Sequence, residues 1–253
     1  TWLRIPLDRP RLTLILLAVL SAIFMLMTVL GGSINATENA DLLVKWGAKV
    51  NGRVYQGEWW RLITSTFLHA GILHIFLNGS ALYFIGMDLE AFVGKARFAA
   101  VYAISGLGGS VASFIFSPFN VPGVGASGAI FGLIGALAVY FGLHRRLLGA
   151  RGNAQFRSIL LVIVLNLGFG FSGILPIDNS AHLGGLIAGV ASGFVLCPRY
   201  DFGRWSLPNI REAVDANRGS LQWVAAVLIA LDIVFIFFVA LLMIRTGIWV
   251  PVR

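Results

Sequence analysis

Charge is what this sequence has least of. Only 12% of its 253 residues are Asp, Glu, Lys or Arg, while 58% are hydrophobic; a soluble domain carries about a quarter charged residues. No soluble core needs this much apolar sequence. Cysteine is nearly absent too. The single Cys197 excludes an internal disulfide and a cysteine-based metal site, and its place at the end of an apolar run marks it as a packing residue. No His-Glu-x-x-His zinc motif occurs, so neither metal nor cofactor is expected. There is no internal repeat and no low-complexity stretch. The N-terminus lacks a cleavable-signal pattern, so the first apolar run is expected to remain as an anchor. The net charge of +8 does not point to nucleic acid. The basic residues lie between apolar runs, where membrane topology signals sit, rather than with aromatics on a polar segment.

What is there is a series of apolar runs long enough to cross a bilayer, which takes about 20 residues each. Seven are expected, at about 12–30, 68–88, 97–117, 127–144, 158–175, 181–197 and 221–244. The fold class is therefore all-α and polytopic, with the lipid bilayer as its first partner. Thirteen of the 19 Lys and Arg fall on one side of these runs, which puts the N-terminus inside and the C-terminus outside. On this reading 1–11 is a cytoplasmic segment and 12–197 a six-helix core. An external loop runs over about 31–61, 198–220 is a polar cytoplasmic linker, and 221–253 is an extra helix with an outer tail. The loop ends in Glu58-Trp59-Trp60-Arg61, whose mix of aromatic bulk and charge suits a bilayer interface.

Polar residues inside such spans are costly and carry a functional hypothesis by default. His74 and Asn78 are four apart and share a helix face. Ser127 lies in Gly125-Ala126-Ser127-Gly128, and His182 in Ala181-His182-Leu183-Gly184-Gly185. Taken singly, each has a packing explanation: a helix-to-helix hydrogen bond, a small-residue contact, an interfacial histidine. Together they are more specific. The second, fourth and sixth spans run in the same direction, so Ser127 and His182 begin parallel helices at similar depth. His74 and Asn78 lie one to two turns deeper. Gly185, Gly189 and Gly193 on the sixth span, with Gly128, Gly132 and Gly135 on the fourth, form side-chain-free stripes that let the two backbones approach. That set holds the parts of acyl transfer: a serine at a helix N-terminus, a histidine to take its proton, and donors for an oxyanion. Asp178, four residues before His182, is expected in the preceding loop. The pair therefore reads as a dyad without a carboxylate.

These residues resemble the rhomboid family of intramembrane serine proteases. Trp60-Arg61 resembles its first-loop element, and His69-x4-His74-x3-Asn78 its second-helix pattern. Glu90 and Gly94 resemble the acidic and glycine positions at that helix's inner end. Gly125-Ala126-Ser127-Gly128 is similar to the nucleophile motif, and His182 followed by Gly185 and Gly189 to the base motif. The resemblance covers about Trp59 to Cys197. It implies a six-helix core with a water-filled cavity below the outer surface, Ser127 as nucleophile and His182 as base, acting through an acyl-enzyme. His74, Asn78 and the Ser127 amide would form the oxyanion hole. Phe131 stands where the family often has Tyr, so its ring could stack on His182 without offering a hydroxyl. Structural roles in the loop fall to His69 and Arg61. The run 221–244 resembles the additional helix of the six-plus-one type. The implied substrates are transmembrane proteins, with the site facing outward; the compact polar ends and the lack of a transit-peptide pattern lean towards a bacterial inner membrane.

A second class of function fits the same motifs: a catalytically silent relative that binds membrane clients. Loss of Ser127 or His182 would mark it, and both are present. A transporter would be expected to show inverted repeats or charges along a path; neither is found, nor is a pair of mid-membrane aspartates. Asp232 in the last span has no counterpart in these motifs and reads as a hydrogen bond to another helix; Asn166 in the fifth reads as a packing contact. Arg245 lies near an outer end, where its side chain can snorkel.

Overall fold

The computed structural model describes residues 2–4, 7–172, 177–207 and 210–217. The expected seventh span, with Asp232 and Arg245, lies outside the described residues. Among them, five helices are long and apolar enough to cross a membrane. The first, Leu12–Leu30, matches its expected bounds. The second is Ile72–Val93, the third Lys95–Phe116 and the sixth Asn179–Leu196. The fourth and fifth are the two limbs of one long helical stretch, Ser127–Phe171. At about 1.5 Å per residue this stretch would be twice the thickness of a bilayer core, but it is not straight. Gly149 leaves helical geometry at φ 58°. Beyond it the chain turns back, so that a Cβ on Gly142 would lie 3.3 Å from the ring of Phe156. The polar stretch 145–157, expected as a loop, is therefore mostly helix on both sides of one glycine break.

The second span differs from expectation at both ends. It starts at Ile72 rather than about 68, because Gly71 sits at φ 83°, where a helix cannot continue. His69 thereby belongs to the loop. It runs on to Val93, through Asp88 and Glu90, passing a π-helical turn at Leu82–Gly86. Glu90 is fully buried because it has work at its helix end. Its Oε1 accepts from the amides of Arg11 at 2.9 Å and Leu12 at 2.8 Å. Its Oε2 accepts from the Thr13 amide and hydroxyl, both at 2.7 Å. A carboxylate here satisfies the free N–H groups that open the first span and faces its positive dipole end.

The first loop is built rather than loose. Short helices Ala40–Trp46, Asn51–Tyr55 and Arg61–Thr64 carry it back to the bundle. Buried Arg61 is its hub: it donates to the carbonyls of Val44 (2.7 Å) and Ala48 (2.9 Å) and to Glu58 (2.5 Å). Its guanidinium also lies over the Trp60 ring, 4.5 Å from the centroid, while Trp60 itself stays half-exposed.

At the opposite end of the bundle the chain adds something the helical reading does not contain. Strands β1 (Trp2–Arg4), β2 (Tyr200–Leu207) and β3 (Ile210–Asp215) form a sheet of order β1-β3-β2. β1 runs parallel to β3 and β2 antiparallel to it. The N-terminal segment and the 198–220 linker are thus joined. Buried Arg97, at the start of the third span, pairs with Asp215 at 2.6 Å and holds β3 to the helices.

The core lies where the third, fourth and sixth spans meet, around Phe98, Leu133, Tyr140 and Leu196. Cys197 is buried there, its thiol 3.7 Å from the Ala136 carbonyl. Leu73, Phe76, Phe84, Leu161 and Val164 stay exposed on the outside of the bundle, an apolar girdle that suits lipid and not water. Asn166 is on that outside as well. It donates to the Val162 carbonyl of its own helix at 2.8 Å and is exposed, so it is not the packing contact expected from sequence. The side chain satisfies itself within one turn.

Candidate active site

Ser127 is the first residue of its helix, with Ala126 as the cap. The chain reaches it through Gly125, at φ 125°, whose amide donates to the Ser65 carbonyl at 2.9 Å. Gly125 is a crowded point. A Cβ there would lie 2.8 Å from His74 Nε2 and 3.8 Å from Ser127 Oγ. The hydroxyl and the imidazole edge therefore converge over a residue that has room only for hydrogen.

His74 is oriented from behind. The Ala70 amide donates to its Nδ1 at 3.3 Å. With Nδ1 accepting, a neutral ring carries its proton on Nε2, the nitrogen that faces Gly125. Asn78 is buried one turn deeper and donates through Nδ2 to the His74 carbonyl at 3.0 Å. His69 is buried behind the pair, its ring edge-on to His74 with centroids 5.1 Å apart. Burial pushes its imidazole down to about 3, with His74 adding to the shift, so it stays neutral in the loop.

His182 lies in the first turn of the sixth span. Its ring stacks on Phe131, centroids 4.1 Å apart and planes 18° from parallel. Phe131 is one turn past Ser127 on the same helix, so the aromatic that steadies His182 belongs to the helix that Ser127 opens. The Nδ1 of His182 has no hydrogen-bond partner; its ring is held by stacking and not by a carboxylate.

Glycines decide how near the two helices come. A Cβ on Gly185 would collide with the Gly128 carbonyl, and one on Gly189 with the backbone of Gly132. Gly193 faces Ala136, and Gly135 faces the Leu186 carbonyl at 2.9 Å. The expected stripes on the fourth and sixth spans do pack together. The third span completes the joint. A side chain on Gly109 would meet both the Ala181 carbonyl (2.8 Å) and Gly128 Cα (3.1 Å). Sequence reading passed over this span because its small residues face two partners and sit beside no ionisable group.

Two comparisons bear on this geometry. The model of the Rhomboid domain matches residues 56–199. The chain belongs to the rhomboid family. It is 44% identical over 181 residues to "Rhomboid protease GluP" of Bacillus subtilis (strain 168), covering 72% of this chain and 34% of that protein. It is 45% identical over 163 residues to "RHOMBOID-like protein 5" of Arabidopsis thaliana, covering 64% of this chain and 52% of the relative. "RHOMBOID-like protein 2" of the same plant is 38% identical over 196 residues, covering 77% of this chain and 60% of the relative. The match thus spans between a third and three fifths of these relatives' length. With its apolar helices, this makes the chain an integral, multi-pass membrane protein of rhomboid fold.

Three polar residues near the site were not singled out as functional from sequence. Asp178, expected in a loop, is the N-cap of the helix that carries His182 and accepts from the Ala181 amide at 3.0 Å. Ser113 of the third span and Ser117, which caps its C-terminus, both donate to its carboxylate, Ser117 at 2.8 Å. The cue was available in Asp178-Asn179-Ser180, a capping sequence placed just before a glycine-patterned apolar run.

Proposed function

We propose that the chain is an intramembrane serine endopeptidase that cuts peptide bonds in or next to transmembrane segments of other membrane proteins. Ser127 Oγ attacks the scissile carbonyl carbon while His182 takes its proton. The tetrahedral intermediate collapses to an acyl-enzyme on Ser127, and the imidazolium returns the proton to the leaving amine. Water, deprotonated by His182, then releases the acyl group and restores the serine. His74 Nε2–H and the Ser127 amide, whose place in the first helical turn leaves it without an intrahelical acceptor, supply the oxyanion hole, with Asn78 as a further donor. The observation that carries this reading is the glycine contact at Gly128 and Gly185 together with the stacking of His182 on Phe131. It puts the imidazole beside the helix that Ser127 opens. The unpartnered Nδ1 of His182 favours a dyad. "Rhomboid protease GluP", by its name, is a relative of this activity.

A helical substrate hides its carbonyls in hydrogen bonds, so helix-breaking and small residues near the cut are expected to favour cleavage. On this reading the chain sits in a bacterial inner membrane with the Ser127 end outward, and needs no metal or cofactor. The test is cleavage of a model transmembrane substrate in proteoliposomes. Wild type is expected to cut, and Ser127→Ala and His182→Ala to lose about 1,000-fold or more. Full activity in either variant would overturn the assignment. A silent client-binding protein would instead retain the substrate uncut in wild type and variants alike.

A further inference from the structure

One residue of the first loop touches the supports of both halves of the proposed dyad. Lys49 is almost fully buried, at 2% exposure, an unusual place for a lysine. Its backbone forms a two-way bridge with Gly123: the Lys49 amide donates to the Gly123 carbonyl at 3.0 Å, and the Gly123 amide donates back at 2.8 Å. Gly123 lies four residues before Ser127, on the segment that delivers the nucleophile. The side chain passes over Gly123 to the other half of the pair. Nζ donates to Ser113 Oγ at 2.5 Å, and Ser113 in turn donates to the Asp178 carboxylate. Asp178 also accepts from Ser117 and from the Ala181 amide, and its carbonyl accepts from the His182 amide at 3.2 Å. The fit around Lys49 is close. A Cβ on Gly123 would lie 3.0 Å from Lys49 Cε.

We propose that Lys49, Ser113, Ser117 and Asp178 form a buried clamp that sets the position of His182 relative to Ser127, with Lys49 as the residue common to both sides. The proposal rests on the dyad reading above and adds four positioning residues to it. The chemistry favours this role over a merely structural one for three reasons. Asp178 fixes the first turn of the very helix on which His182 rides, one turn away. Its carboxylate accepts three hydrogen bonds, from Ser113, Ser117 and Ala181, so the turn has one geometry and not several. The cation that makes the cluster electrically balanced comes from the loop, not from either helix. Small-residue stripes let the helices come close but hold no polar group at their mouth, and the clamp supplies one there. A shift of about 1 Å at reacting atoms can cost about 100-fold in rate, so small losses of register should be visible in kinetics.

The experiment uses the full chain in detergent or proteoliposomes with a fluorophosphonate probe, measuring the rate constant and the final extent of labelling, and separately kcat and KM for a model transmembrane substrate. Lys49→Met, Asp178→Ala and the double variant Ser113→Ala/Ser117→Ala are compared with wild type and with Asp178→Asn, which keeps the cap. The expected result is a labelling rate constant lowered about ten- to 100-fold at full final extent, kcat lowered in step and KM unchanged, with Asp178→Asn recovering part of the loss. Lower extent with an unchanged rate constant would mean that the variants only misfold, and would overturn the proposal. So would rate constants within about twofold of wild type. Should Asp178→Ala fail to fold, Lys49→Met and the serine variants decide. A wild type that neither labels nor cleaves would sink the dyad reading itself, an outcome distinct from active wild type with unaffected clamp variants.

Discussion

At the scale of single residues the site depends on which atoms are left free. His74 has one nitrogen occupied by the Ala70 amide and so offers the other. Replacing it with alanine removes one donor of the proposed oxyanion hole, a loss of typically about 2.7–4 kcal/mol in the transition state. His74→Ala should therefore lower kcat about 100- to 1,000-fold with its melting temperature little changed; unchanged kcat would remove His74 from that role. Lys49 makes a prediction through pH. Burial pushes its ammonium from 10.5 down to about 8, opposed in part by the Asp178 carboxylate. A lysine whose folded value is depressed binds fewer protons folded than unfolded between those two values, so stability rises with pH across them. Thermal unfolding followed from pH 8 to 10.5 should show that rise in wild type and lose it in Lys49→Met; identical slopes would contradict the burial argument. Residues whose chemistry is intrinsic were legible in the sequence: a serine within Gly125-Ala126-Ser127-Gly128, two histidines at fixed spacing. Lys49 was not, because a charge in a loop looks like a solvated one until the chain is folded around it; Asp178 was readable as a helix cap but not as the partner of Ser113 and Ser117.

At the scale of helices, end effects and glycine contacts explain most of the arrangement. Glu90 closes the N-terminus of a helix 77 residues earlier in the chain, at Thr13. Glu90→Ala would leave the amides of Arg11, Leu12 and Thr13 without acceptors in a buried place, at a cost of about 3 kcal/mol. A clear drop in unfolding temperature in detergent is expected, and Glu90→Gln should recover part of it by keeping one acceptor. The sequence marked Glu90 through its family position, yet ended the span before it, since a carboxylate normally belongs outside a span. Gly71 shows the same limit. It sets a helix boundary through a positive φ, and a glycine in an apolar run gives no sign of whether it bends the chain or packs. The stripe at Gly185 and Gly189 was readable because its four-residue spacing has one obvious use. Gly189→Val should push the fourth and sixth spans apart and lower both stability and turnover; a fully active variant would mean that the close approach is not needed.

At the scale of the whole molecule, the helical membrane core follows from composition and run length alone, and the family follows from motifs in order. What did not follow was the sheet that joins 2–4 to 200–215. Its strands are short and mixed in polarity, and their pairing joins segments far apart in sequence that only folding brings together. The sheet and the proposed active site occupy opposite ends of the bundle, so one end is latched by Arg97 with Asp215 and the other by Lys49 with Asp178 through Ser113. At that second end we propose that Ser127 acts as the nucleophile with His182, stacked on Phe131 of the Ser127 helix, as its base. The most direct measurement is the intact mass of the protein after exposure to a fluorophosphonate, followed by mapping of the modified peptide. One adduct is expected, on Ser127, absent in Ser127→Ala and formed far more slowly in His182→Ala. An adduct mapped to another residue, or undiminished labelling in His182→Ala, would contradict it.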